Sequence, residues 1–169
     1  MSEDEIYQRV LTRILDFVSG RARTVSEVER KIDALLKGRI AEEIGQSVEN
    51  ENIKIRVMEK LSLLKLLSDS QYAKDYLNEK VNSSRPVGPE AVKKFLYRKG
   101  VSSEIIKSVV SDFSKQDEKE AIEKLLVRKM GTLTKRDIKN KNRITKFLLY
   151  KGFTPKVVFP AVDTKFEVK

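Results

Sequence analysis

The chain has 169 residues, 40% of them hydrophobic and 36% charged, with 35 Lys/Arg against 25 Asp/Glu for a net charge of +10. It contains no Cys, His or Trp, which excludes a disulfide framework, most zinc sites, cysteine nucleophiles and Ser–His–Asp triads. No apolar run approaches the roughly 20 residues of a membrane span, and the acidic, amphipathic start MSEDEIYQRV does not read as a signal peptide, so a cytoplasmic protein is expected.

Taken in order, the chain predicts helices throughout. Ser2 with Glu5 forms a capping box for a helix over 3–18, with Ile6, Val10, Ile14, Phe17 and Val18 as its apolar stripe and Gly20 as its stop. Thr24 with Glu27 repeats the box for a second helix that turns Val28, Ile32, Leu35 and Leu36 inward and stops at Gly38. Residues 39–50 keep no period and read as a loop with one turn at 40–44. A third helix over 51–67 places Ile53, Val57, Leu61 and Leu64 inward. Ser68 and Gln71 cap a fourth, with Tyr72, Ala73, Tyr76 and Leu77 on one side. After the loop NSSRPVGPE, Pro89 opens a fifth helix that ends at Gly100, and Ser102 caps a sixth carrying Ile105, Ile106, Val109, Val110 and Phe113. Ser114 with Asp117 starts a seventh, with Ala121, Ile122, Leu125 and Leu126 inward, closing near Gly131. Thr134 with Asp137 starts an eighth that runs to Lys151 and holds Ile138, Ile144, Phe147 and Leu148. Thr154 caps a ninth with Pro155 in its first turn; Pro160 is expected to kink it or end it, since a proline inside a helix costs roughly 3 kcal/mol.

One stretch returns. Residues 91–110 and 143–162 share Lys94/Lys146, Phe95/Phe147, Leu96/Leu148, Lys99/Lys151, Gly100/Gly152 and Val110/Val162 at a fixed offset. Phe95 and Phe147 are therefore expected in equivalent core positions. The echo, with no segment alternating apolar and polar between turns, predicts an all-α chain of three tandem three-helix repeats, elongated and curved. The divisions fall at 1–69, with a loop at 38–50, at 70–114 and at 115–169. The competing expectation is one compact helical domain in which the echo is accidental.

The charge is uneven. Residues 1–69 carry 12 basic and 13 acidic side chains, a net of −1. Residues 70–118 carry 9 and 7, for +2, and residues 119–169 carry 14 and 5, for +9. An excess gathered at one end suits a polyanion, although a solvated basic face would look the same. Within that third, Lys135, Arg136, Lys139, Lys141, Arg143 and Lys146 crowd the eighth helix, with Arg128 and Lys129 before it and Lys151 after. Residues 135, 139, 143 and 146 fall on one helical face with 136 nearby, a strip suited to phosphates or an acidic protein groove. Arg85, Lys93, Lys94, Arg98 and Lys99 form a weaker patch. Tyr97 and Tyr150 could stack on exposed bases, but packing at helix–helix interfaces is the expectation for each. Neither Glu42–Glu43 nor Asp117–Glu118 is flanked as a tuned acid–base pair would be; both read as solvated surface, and no catalysis, metal or cofactor is expected.

These motifs resemble the RecX family, bacterial regulators of the RecA recombinase. LLSDSQYAKDYL followed by RPVGPEAVKKFLYRKGVSSEIIKSVV carries most of the likeness, with DIKNKNRITKFLLYKGF similar to the family's third repeat and TVSEVERKI to the second helix of its first. Two features depart from the pattern: a longer link at 38–50 and Pro160 in the last helix. The resemblance implies three three-helix repeats. It also implies a non-enzymatic monomer that lodges in the groove of the RecA–DNA filament and inhibits ATP hydrolysis, strand exchange and co-protease activity, with RecA and single- or double-stranded DNA as partners. The alternative is a basic helical module acting directly on DNA or RNA.

Overall fold

A computed structural model describes residues 2–37, 50–132 and 137–166. The described residues form helices and no strands: α1 (Glu3–Ser19), α2 (Val25–Lys37), α3 (Asn50–Leu63), α4 (Asp69–Asn82), α5 (Pro89–Arg98), α6 (Ser103–Ser111), α7 (Lys115–Met130), α8 (Ile138–Tyr150) and α9 (Pro155–Phe166). The expected stop at Gly38, the loop at 39–50 apart from its last residue, the cap at Thr134 and two strip residues, Lys135 and Arg136, lie outside the described residues.

Local chemistry sets the helix starts. Ser2 and Glu5 form a reciprocal capping box, as do Ser114 and Asp117, and the Ser102 side chain accepts from the Ile105 N–H. Pro89 opens α5 as its first residue, where its missing N–H costs nothing.

The helices gather into two compact units. The first comprises Met1–Tyr72 with Lys99–Val101. There α1, α2 and α3 pack pairwise around Ile6, Val10, Ile14, Val28, Ile32, Leu36, Ile53, Val57 and Leu61, together with Leu11, which lies outside the predicted stripe. Helix α3 ends earlier than expected. Lys65 turns left-handed at φ 53°, and Leu64 is 47% exposed rather than inward. The Thr24–Glu27 box is closed by two bonds of 3.2 Å, and the Thr24 hydroxyl donates to the Lys99 carbonyl at 2.7 Å. Lys99 Nζ meets Glu27 at 2.6 Å. Lys99 is thus held by an acidic partner inside this unit instead of joining the exposed basic patch.

That cluster has a pH signature. Burial pushes the Glu27 carboxyl up. The Lys99 hydrogen bond, the Thr24 N–H and the charges of Lys99 and Arg21 outweigh it and hold the carboxyl below its ordinary 4.5. A depressed carboxylate contributes stability above its unfolded pKa, and that contribution is lost as the pH falls through the lower folded value. Glu27→Gln is expected to flatten the acid limb of stability below pH 4.5, measured by urea midpoints; an acid limb identical to that of the parent chain would show that Glu27 contributes nothing to it.

The second unit comprises Ala73–Arg98 and Ser102–Lys169. Its larger core lies among α7, α8 and α9, with Ala121, Ile122, Leu125, Leu126, Ile144, Leu148, Phe153, Val157, Val158 and Val162 buried. Helices α5 and α6 pack together, and Val92, Leu96, Ile106 and Val109 on them are buried. The deep pair of the sequence echo is Leu96 and Leu148, both 0% exposed, rather than the phenylalanines beside them. Phe95 is half-buried and stacks on Tyr76 with ring centroids 4.0 Å apart, while Phe147 is half-buried at the edge of its core.

Three further expectations are corrected in this unit. Helix α8 begins at Ile138 behind an Asp137 cap, whose carboxylate accepts from the Asn140 N–H at 2.8 Å; Ile138, one residue past the cap, is 78% exposed rather than inward. Helix α9 continues through Pro160 to Phe166, so the proline does not end it; Pro160 is exposed, and the carbonyl it leaves without an amide belongs to exposed Lys156. Glu118 is not solvated surface. At 4% exposure it accepts from both the N–H and the hydroxyl of Thr154, so the Thr154 side chain is tied to α7 instead of capping α9.

Gly88 and Gly152 lock the start of α5 to the turn between α8 and α9. The Gly88 N–H donates to the Lys151 carbonyl at 2.9 Å, and the Glu90 N–H to the Gly152 carbonyl at 3.0 Å. A Cβ on Gly88 would lie 2.3 Å from the Gly152 backbone, and one on Gly152 would lie 2.4 Å from the Ala91 nitrogen. Only two residues without side chains permit this approach. It sets the end of α8 beside α5.

Candidate nucleic-acid and partner interface

Apart from Lys99, the described basic residues of the two predicted patches lie within the second unit, in three settings. The first is the outer face of α8. Lys139, Arg143 and Lys146 are exposed and make no ion pair among the described residues. At i, i+4 and i+7 they share one face, and the next position along it, i+11, is Tyr150, 90% exposed. Lys141 points elsewhere. Its Nζ lies 2.8 Å from Asp163 on α9, so it is paired and does not belong to this face.

The second setting is an open groove of about 1030 Å³ bordered by α5, α6 and the end of α8. Lys93, Lys94 and Arg98 reach it from α5, Lys107 from α6, and Tyr150 and Lys151 from the end of α8. Tyr97 also lines it and is 72% exposed. The expectation that both tyrosines pack between helices fails, because Val92 and Leu96 take the inward positions of α5, as Ile144 and Leu148 do in α8. Lys93 is engaged by Glu90 at 2.6 Å. Lys94 and Arg98 are exposed and carry no ion pair among the described residues.

The third is a smaller cleft of about 390 Å³ that gathers Arg85, Arg128, Lys129 and Lys151 around Phe147. The Lys129 and Lys151 ammonium groups lie 4.7 and 5.9 Å from the Phe147 ring centroid, within cation–π range. Half-buried Phe147 thus packs against its core and also meets two cations. Lys151 lines both groove and cleft, so the two patches that are separate in sequence meet there. Lys107 is a groove residue that the sequence patches did not include. Among the described residues no group of His, Cys, Asp and Glu could hold a metal, and no helix is long and apolar enough to cross a membrane.

Residues 116–162, which span α8 and most of α7 and α9, match the family model described as RecX, third three-helix domain. A regulatory protein RecX from Bacillus subtilis is 31% identical over 165 residues, covering 95% of this chain and 56% of that protein. Another from Cronobacter sakazakii is 28% identical over 147 residues, covering 87% of this chain and 86% of that protein. Residues 116–162 thus form a third RecX domain, and the chain resembles RecX regulatory proteins along most of its length. It spans 54–66% of the length of several other RecX regulatory proteins. A crystal structure of RecX from Lactobacillus salivarius matches the fold with a TM-score of 0.69 at 23% identity, covering 98% of this chain and 99% of that one. The all-α fold of the chain is therefore a RecX fold, and the cations of α8, of the cleft and of the groove's α8 side fall in or beside the third RecX domain.

Proposed function

We propose that this chain is a RecX-family regulator that acts in homologous recombination and DNA repair by binding the RecA–DNA filament and inhibiting its ATPase, strand-exchange and co-protease activities. The RecX resemblance supplies the partner. The observation that carries the reading is the outer face of α8, where Lys139, Arg143 and Lys146 stand exposed and without ion pairs among the described residues. A filament around DNA is a polyanion, and exposed cations not engaged in ion pairs can meet its phosphates or acidic side chains. Lys135 and Arg136 belong to the same proposed surface, with Arg128, Lys129 and Lys151 at its edge. The protein works in the cytoplasm as a monomer of three repeats, 1–69, 70–114 and 115–169.

The test is a titration of the protein into RecA with single-stranded DNA, following ATP hydrolysis. Suppression at sub-stoichiometric amounts is expected, and undiminished hydrolysis at equimolar protein would overturn the reading. A second reading, a module acting directly on nucleic acid, draws on the two exposed tyrosines. It is favoured if bare strand binds more tightly than RecA-coated strand at physiological salt.

A further inference from the structure

We infer that the groove bordered by α5, α6 and the end of α8 is a seat for an unpaired nucleic-acid strand, with bases stacked on Tyr97 and Tyr150 and phosphates met by Lys94, Arg98, Lys107 and Lys151. The inference deepens the proposed nucleic-acid contact by naming the strand class and placing it in this groove, which meets the outer face of α8 at Tyr150.

Two observations lead there. The first is the exposure of the tyrosines, 72% for Tyr97 and 90% for Tyr150. A tyrosine this exposed contributes little to the core, and the deep positions of its helix are filled by leucine: Leu96 beside Tyr97, and Leu148 two residues before Tyr150. Both open onto the same groove. The second is the charge around them. Helices α5 and α6 and the turn after α8 bring cations to the groove, and among the described residues no Asp or Glu lines it. Its volume of about 1030 Å³ is open rather than enclosed, which suits a strand passing through and not a small buried ligand.

Charge alone would accept an acidic peptide equally well. Exposed aromatic faces interleaved with cations distinguish the two, because every base has a π-face and a run of glutamates has none. A duplex is disfavoured on the same ground, since its bases already stack on each other and cannot reach the rings. The Gly88–Gly152 approach holds the α8 side of the groove against the start of α5, so the seat exists before the strand arrives.

The test is fluorescence anisotropy of the full chain with three labelled probes: a short oligothymidylate, an abasic strand of equal length, and a polyglutamate peptide of equal charge. Oligothymidylate is expected to bind most tightly. Tyr97→Ala with Tyr150→Ala should weaken it at least about fivefold per tyrosine, the low end of base–aromatic stacking, and leave abasic binding unchanged. Tyr97→Phe with Tyr150→Phe should restore binding, which separates stacking from any effect on folding. Lys94→Gln and Arg98→Gln should each lower the log–log salt slope by about 0.7, the single-strand value. Equal binding of oligothymidylate and abasic strand, equal binding of the peptide, or full affinity in the double alanine variant would each overturn the inference. RecA ATPase suppression, measured with the same variants, separates this result from the filament reading. Loss of strand binding with suppression retained leaves that reading intact. An unmutated chain that stacks the strand but does not suppress leaves the groove and removes the filament.

Discussion

Gly152→Ala is expected to destabilise the protein by about 2–5 kcal/mol, the sum of overpacking and left-handed backbone strain. Gly152 sits at φ +84°, a conformation in which an L side chain strikes its own carbonyl. The added methyl would also lie 2.4 Å from the Ala91 nitrogen and 2.7 Å from its Cβ. Neither neighbour can give way easily, because the Ala91 N–H is bonded to the Gly88 carbonyl and the adjacent Glu90 N–H to Gly152 itself. The start of α5 must therefore separate from the α8–α9 turn or the turn must deform. Gly20→Ala is the matched control, at φ −72° with nothing within 4 Å of its added Cβ. It is expected to shift stability by no more than about 0.5 kcal/mol. Urea denaturation of the two variants checks this; equal midpoints would show that the close approach contributes nothing. Because that approach sets Lys151 beside α5, Gly152→Ala should also weaken whatever the groove binds.

Helix starts were legible in the sequence because their signals are local. A serine with an acidic residue three positions on satisfies two backbone N–H groups by itself, at Ser2–Glu5 and Ser114–Asp117. The left-handed glycines of the echo were legible for the same reason, with Gly100 at φ 78° and Gly152 at φ 84°. What misled was the choice between two local candidates. Thr134 and Asp137 each carry capping chemistry, and Asp137 is the residue whose side chain caps α8. Moving the start to Ile138 leaves Ile138 outside the core.

Long-range pairing was not legible. Nothing near Lys141 announces Asp163, and nothing near Lys99 announces Glu27, 72 residues away. Glu118 looked like surface because its partner, Thr154, lies 36 residues further along the chain. The tyrosines are a different case. Tyr97 is one turn beyond Lys93 and Lys94, and Tyr150 is one turn beyond Lys146, so helical phase already placed each with lysines and away from the leucines. The expectation of interface packing gave aromatic character more weight than phase. Likewise the echo offered phenylalanine and leucine side by side, and shared identity could not say which faced inward; in the fold, Leu96 and Leu148 do.

Lys139→Glu with Arg143→Glu is expected to abolish suppression of the DNA-dependent ATPase of RecA. Both residues are exposed on α8, one turn apart, with no ion pair among the described residues to release or replace. Their reversal therefore costs the fold little, since surface changes away from packed groups stay within about 0.5 kcal/mol. It exchanges two attractions toward a polyanion for two repulsions. If phosphates are the target, the log–log salt slope of filament binding should fall by about 1 for each cation removed. If acidic protein side chains are the target, binding should weaken as much with little dependence on DNA. Lys141→Gln is the control on the same helix: it breaks an exposed pair with Asp163 worth about 0–1 kcal/mol and should leave suppression in place. Suppression that survives Lys139→Glu with Arg143→Glu from low to high salt would remove the outer face of α8 as the filament contact. Suppression that falls equally in the Lys141→Gln control would show that net charge matters and position does not.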